Sequence, residues 1–101
     1  MGLVEHRREM DEIDRKIIML IDQRTNISKK IFEDKRIEGR PIADPDRENQ
    51  VLKKAMDMAA ELSLDAGSIR DIFRILISMS LQKQHELHSK NRGYQDELLE
   101  L

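Results

Sequence analysis

A chain of 101 residues with 39% apolar content holds a single domain, residues 1–101, near the size at which an independent core becomes marginal. It has no cysteine, which excludes disulfides, thiolate metal sites and thiol nucleophiles. Eighteen basic residues are interspersed with twenty acidic ones for a net charge of -2, and Phe32, Phe73 and Tyr94 are the only aromatic residues, so neither a nucleic-acid surface nor an anionic-membrane surface is expected.

No segment has the length and apolarity of a membrane span, and MGLVEHRRE lacks the apolar stretch of a signal peptide, so the expected location is cytoplasmic. The first helical pattern runs from about Val4 to Glu38 and ends at Gly39-Arg40-Pro41. Met10, Ile13, Ile17, Leu20, Arg24, Ile27 and Ile31 recur at alternating spacings of three and four, the seam of a helix packed on other helices. Arg24 occupies a place in that seam that calls for a hydrocarbon. A guanidinium there needs an anion, either an internal carboxylate such as Glu48 or a bound ligand. Lys35, eleven residues on, returns to within about 20° of the same face. Arg7 lies roughly 25 Å before Arg24 and about 100° round the helix, too far to share a small ligand with it in one chain.

A helix of about 33 residues is some 50 Å long, whereas a compact domain of this size is roughly 35 Å across. It must project beyond its own fold, and an apolar seam that projects is best buried by a second copy. The expected unit is an intertwined homodimer.

Asp44 suits the cap of a second helix and Pro45 its first turn. Val51, Leu52, Ala55, Met56, Ala59 and Leu62 form its inward stripe, and Asp44, Arg47 and Glu48 continue that stripe at i, i+3, i+4. A third helix starts at Asp65, with Leu64 and Ile69 placed as a staple. Its stripe is Ile69, Phe73, Leu76, Ile77, Ser80, Gln84 and Leu87, with two polar residues in an apolar line. The pattern fades after Leu87, Gly93 is expected to break it, and Tyr94 to Leu101 reads as a short extra turn or a frayed end. The predicted class is all-α, three helices per chain, with a core over about residues 5–88.

Long cations, a carboxylate and neutral donors thus converge on an interior of Ile, Leu and Met, as a small polyanionic substrate with a hydroxyl would require. Each residue also has a structural role open to it. Asp44 can be only a cap, Arg47 and Glu48 a solvated pair, Lys35 surface charge, and Ser80 and Gln84 a back-bond and a register device. Their joint placement on three inward faces favours the functional reading. His85 and His88 are spaced for a metal pair but lack a third ligand, so no metal is expected. No nucleophile motif and no glycine-rich phosphate loop is present, and no organic cofactor is implied.

The pattern Arg7, Ile13-Asp14, Arg24, Lys35, Pro41-Ile42-Ala43-Asp44-Pro45-Asp46-Arg47-Glu48, Leu64-Asp65, Phe73, Ser80 and Gln84 resembles the all-helical class of chorismate mutases, over about residues 5 to 88 without a gap. The resemblance implies a domain-swapped dimer with two active sites, each completed by an arginine of the other subunit. It also implies the Claisen rearrangement of chorismate to prephenate, on the route to phenylalanine and tyrosine. Arg24 and the partner's Arg7 would hold the two substrate carboxylates. Lys35 and Gln84 would donate to the ether oxygen, Glu48 would accept from the ring hydroxyl with help from the Asp44 backbone, and Arg47 and Ser80 would complete the polar wall. Two alternatives are an isochorismate pyruvate lyase, a related group that lacks acids at the positions of Asp44 and Glu48, and a non-catalytic helical dimerisation module. The paired acids favour the mutase.

Overall fold

The computed structural model describes the backbone of residues 2–100 and the side chains of residues 2–91. Three helices account for nearly all of it: α1 (Gly2–Glu38), α2 (Pro45–Glu61) and α3 (Ala66–Glu100). The all-α expectation holds, and the described residues contain no strand.

Each boundary has a local chemical cause. At the end of α1, Gly39 takes a left-handed φ of 69°, its N–H donates to the Arg36 carbonyl at 3.3 Å, and the Arg40 N–H reaches back to Lys35 O at 2.8 Å. That pair of bonds satisfies carbonyls which the last turn would otherwise leave open. At the start of α2, Asp44 Oδ1 accepts from the Arg47 N–H at 3.2 Å, while the Glu48 carboxylate accepts from the Asp44 N–H at 3.1 Å. The two acids cap the helix reciprocally, and Pro45 occupies a first-turn position whose N–H would have had no partner. The end of α2 repeats the α1 turn with Ser63 in the glycine place, at φ 57°. Ser63 N donates to Ala60 O at 3.1 Å and Leu64 N to Ala59 O at 2.8 Å. Asp65 then caps α3, its carboxylate accepting from the Ser68 N–H at 3.0 Å and from the Ser68 hydroxyl.

Gly93 does not break α3, which runs on to Glu100. A glycine inside a helix costs only about 1 kcal/mol relative to alanine, less than the cooperative gain of an uninterrupted ladder.

Both α1 and α2 pack on α3. Ala55 and Ala59 are the buried residues of α2, and their small side chains let its backbone approach α3 closely. At the other side Phe32 of α1 is buried and meets the His88 ring edge-on, with centroids 6.5 Å apart. The N-terminal half of α1 has no such cover. Met10, Ile13, Ile17 and Leu20 are 49–61% exposed in the single chain. The molecule measures 67 × 30 × 17 Å with a radius of gyration of 18.3 Å, against about 13 Å for a compact chain of 100 residues. The projection expected from the length of α1 is present.

Candidate active site

Where α1 passes over the start of α2 and the middle of α3, the three helices enclose a cavity of about 350 Å³. That volume is within the range of small-molecule pockets, roughly 300–1,000 Å³. Its polar lining comprises Arg24, Ser28 and Lys35 from α1, Asp44, Arg47 and Glu48 from the cap of α2, and Ser80 and Gln84 from α3. Ile27, Ile31, Ile42, Val51, Ile77 and Leu81 supply the apolar remainder. Seven of the eight residues singled out in the sequence therefore meet in one cavity. Arg7 does not line it; it sits exposed near the start of α1.

The internal bonds are specific. Lys35 Nζ donates to the Ile42 carbonyl at 2.5 Å and to Gln84 Oε1 at 3.1 Å. Gln84 Nε2 donates to Ser80 Oγ at 3.2 Å, and Ser80 Oγ lies 2.6 Å from Ser28 Oγ. Ser28 donates in turn to the Arg24 carbonyl at 3.0 Å. Arg24 Nη1 donates across the helix pair to the Leu76 carbonyl at 2.9 Å.

The Arg24–Glu48 bridge that could have satisfied Arg24 internally is not formed, because Glu48 is turned onto the Asp44 N–H. Among the described residues the ion pairs are Arg36–Glu33, Arg40–Glu38, Arg70–Asp71 and Lys83–Glu86, all away from the polar lining. Arg24, Lys35 and Arg47 thus line the cavity without a carboxylate at ion-pair distance, while both acids of the lining are engaged with backbone N–H groups of the α2 cap. Burial, and then repulsion from Arg47, hold the Arg24 pKa below its ordinary value. A bound anion would reverse that penalty.

Three participants escaped the sequence pattern. The Ile42 and Leu76 carbonyls belong to the backbone and leave no mark in it. Ser28 does leave one: it is one turn after Arg24 and seven residues before Lys35, on the face they share. His88, one of the possible metal pair, instead packs against Phe32.

Comparison with known proteins gives the family. The family described as chorismate mutase type II matches residues 6–85. The chain is 38% identical to the chorismate mutase of Methanocaldococcus jannaschii, over 90% of this chain and 94% of that one. It is 31% identical to the bifunctional chorismate mutase/prephenate dehydratase of Buchnera aphidicola subsp. Acyrthosiphon pisum over 88% of its length, and 27% identical to that of Escherichia coli K12 over 84%, spanning 23% and 22% of those longer proteins. By the match over most of its length and its likeness to a relative of almost the same extent, the chain belongs to the type II chorismate mutase family.

Proposed function

We propose that the protein catalyses the Claisen rearrangement of chorismate to prephenate as a homodimer, each site being completed by Arg7 of the other copy. The observation that carries the reading is the set of cations in the cavity, Arg24, Lys35 and Arg47, with no carboxylate partner among the described residues.

The groups that would meet substrate are held by the protein and have capacity to spare. Lys35 has three N–H donors, two of them used on Ile42 and Gln84, so one remains for the ether oxygen. Gln84 Nε2 has two, one of them on Ser80. Arg24 spends one of five on Leu76 and keeps a fork for a carboxylate. Glu48 places Oε2 on the Asp44 N–H and keeps Oε1 to accept from a ring hydroxyl. Arg47 and Ser80 complete the wall. The protein contacts fix these groups before substrate arrives, so stabilising the transition state costs little reorganisation.

A pericyclic step transfers no proton to the enzyme and requires no nucleophile. Catalysis reduces to holding the compact conformer of the substrate and stabilising the negative charge that grows on the ether oxygen as its C–O bond breaks. Lys35 and Gln84 perform the second task, and Arg24 with the partner's arginine the first. The exposed seam Met10, Ile13, Ile17 and Leu20 supports the dimer, since a second α1 laid antiparallel would cover it and bring its own Arg7 to the cavity.

Incubating the purified protein with chorismate and following the loss of its ultraviolet absorbance tests the activity, with prephenate as the expected product. No turnover would refute the enzymatic reading, and pyruvate with salicylate from isochorismate would replace it with a lyase. Sedimentation at micromolar concentration should give twice the 11.9 kDa chain mass. A species of one chain mass would remove the shared site.

A further inference from the structure

The rearrangement proposed for this cavity, on which the role inferred for Ser28 rests, needs the N–H side of the Gln84 amide and not its carbonyl. An amide is nearly symmetric in shape, so a half-turn about its last bond exchanges donor for acceptor. Gln84 is 2% exposed, and bulk water cannot choose between the two states. Lys35 draws Oε1 at one end. The other end rests on Ser80 Oγ, a hydroxyl able to accept from Nε2 or to donate to Oε1.

Lys35 has donors only and so favours the state with Nε2 towards Ser80 by itself; whether Ser80 reinforces or opposes that choice depends on where its proton goes. On a helix, the nearest acceptor for a serine is the carbonyl four residues back, here Leu76 O. That carbonyl already accepts from Arg24 Nη1 at 2.9 Å. The other acceptor is Ser28 Oγ at 2.6 Å on the facing helix, whose own proton is donated to the Arg24 carbonyl at 3.0 Å. One arrangement satisfies all of these groups at once: Gln84 Nε2–H to Ser80, Ser80 O–H to Ser28, Ser28 O–H to Arg24 O.

We infer that Ser28 is a positioning residue for the reaction: by accepting the Ser80 proton it fixes the Gln84 amide with Nε2 as donor and leaves Leu76 O to Arg24. It acts on both tasks of the site, the ether-oxygen donor and the carboxylate-binding arginine, through Ser80 and Leu76 O. Ser28 is itself 2% exposed, so the chain of donors is closed to water at its end. Ser28→Ala deletes one oxygen and installs the best helix former in α1, so the fold is retained. The Ser80 proton is then left with Leu76 O, contested by Arg24, or with Gln84 Oε1, which turns the amide.

The test reads kcat and KM for chorismate in Ser28→Ala, and the side-chain amide resonances of Gln84 by ¹⁵N NMR in substrate-free protein. It then repeats Ser28→Ala in a Gln84→Glu background at about pH 4, where the protonated carboxyl group can carry its proton on either oxygen and has no amide orientation to set. Expected are a fall in kcat of about tenfold with KM within about twofold, displaced Gln84 resonances, and a loss of less than about twofold in the glutamate background. Unchanged kcat, unmoved Gln84 resonances or an equal loss in both backgrounds would overturn the inference. If the parent protein leaves chorismate intact, the proposed activity fails, and the role of Ser28 in setting the amide is decided by the resonances alone.

Discussion

Lys35 of α1 and Gln84 of α3 face each other with Nζ and Oε1 3.1 Å apart, and the Ile42 carbonyl holds the same Nζ at 2.5 Å. Two neutral acceptors thus aim an ammonium group into a cavity that contains two further cations, Arg24 and Arg47. The arrangement orients the charge of Lys35 without neutralising it. Replacing Lys35 with alanine should lower kcat by about 10²–10³, equivalent to roughly 3–4 kcal/mol of transition-state stabilisation, with an unchanged helical circular dichroism spectrum. Activity near the parent level in that variant would remove Lys35 from the reaction.

Gln84 does not titrate, so kcat should vary little between pH 6 and 8. Gln84→Glu should change this in a definite direction. A carboxyl group donates to the ether oxygen only while protonated, so activity should rise as pH falls and decline as the carboxylate forms. A flat profile for Gln84→Glu, or a steep one for the parent, would count against the donor role.

Asp65 accepts from both the N–H and the hydroxyl of Ser68, and these bonds, the hydroxyl's first, hold its carboxyl pKa below the ordinary value. A group whose pKa is depressed by folding contributes stability that is complete above its unfolded pKa and is lost as pH falls through the folded one. The α3 cap should therefore weaken only in acid, below the usual aspartate range. Asp65→Asn should reduce the acid dependence of the melting temperature, and an unaltered dependence would assign it elsewhere.

Ser63 takes the left-handed conformation that ends α2, a place glycine fills at the end of α1. A side chain there is strained by roughly 1 kcal/mol, partly offset by the extra entropy glycine would lose on folding. Ser63→Gly should stabilise the protein by about 0.5 kcal/mol, read as a small rise in denaturation midpoint at constant slope. A fall in midpoint would show that the serine is held by something other than the turn.

Much of the cavity was legible because helices project side chains at fixed angles. Arg24 and Lys35 are separated by three turns, Ser80 and Gln84 by one, and Asp44, Arg47 and Glu48 occupy one cap, so spacing alone places each group on an inward face. What spacing cannot give is which partner a polar group chooses. Glu48 could have neutralised Arg24 but accepts from the Asp44 N–H, so the capping role expected of Asp44 alone extends to both acids. Ser28 bonds to its own turn, as a helical serine commonly does; its second contact, to Ser80, depends on the approach of α3. Gly93 was misleading because local propensity is a weak force inside a long helix. The seam from Met10 to Leu20 was legible as a packing surface, yet its apolar side chains stay about half exposed in the single chain.

In the reaction proposed for this cavity, Arg24 of one copy and Arg7 of another act on the same substrate. Arg7→Ala and Arg24→Ala should each lose most activity. After the two variants are mixed, denatured and refolded together, half of the dimers should be mixed, and each mixed dimer should contain one site with both arginines intact. About a quarter of the parent activity should return. Full activity of Arg7→Ala alone, or no recovery in a mixture shown to contain mixed dimers, would contradict a site shared between two chains.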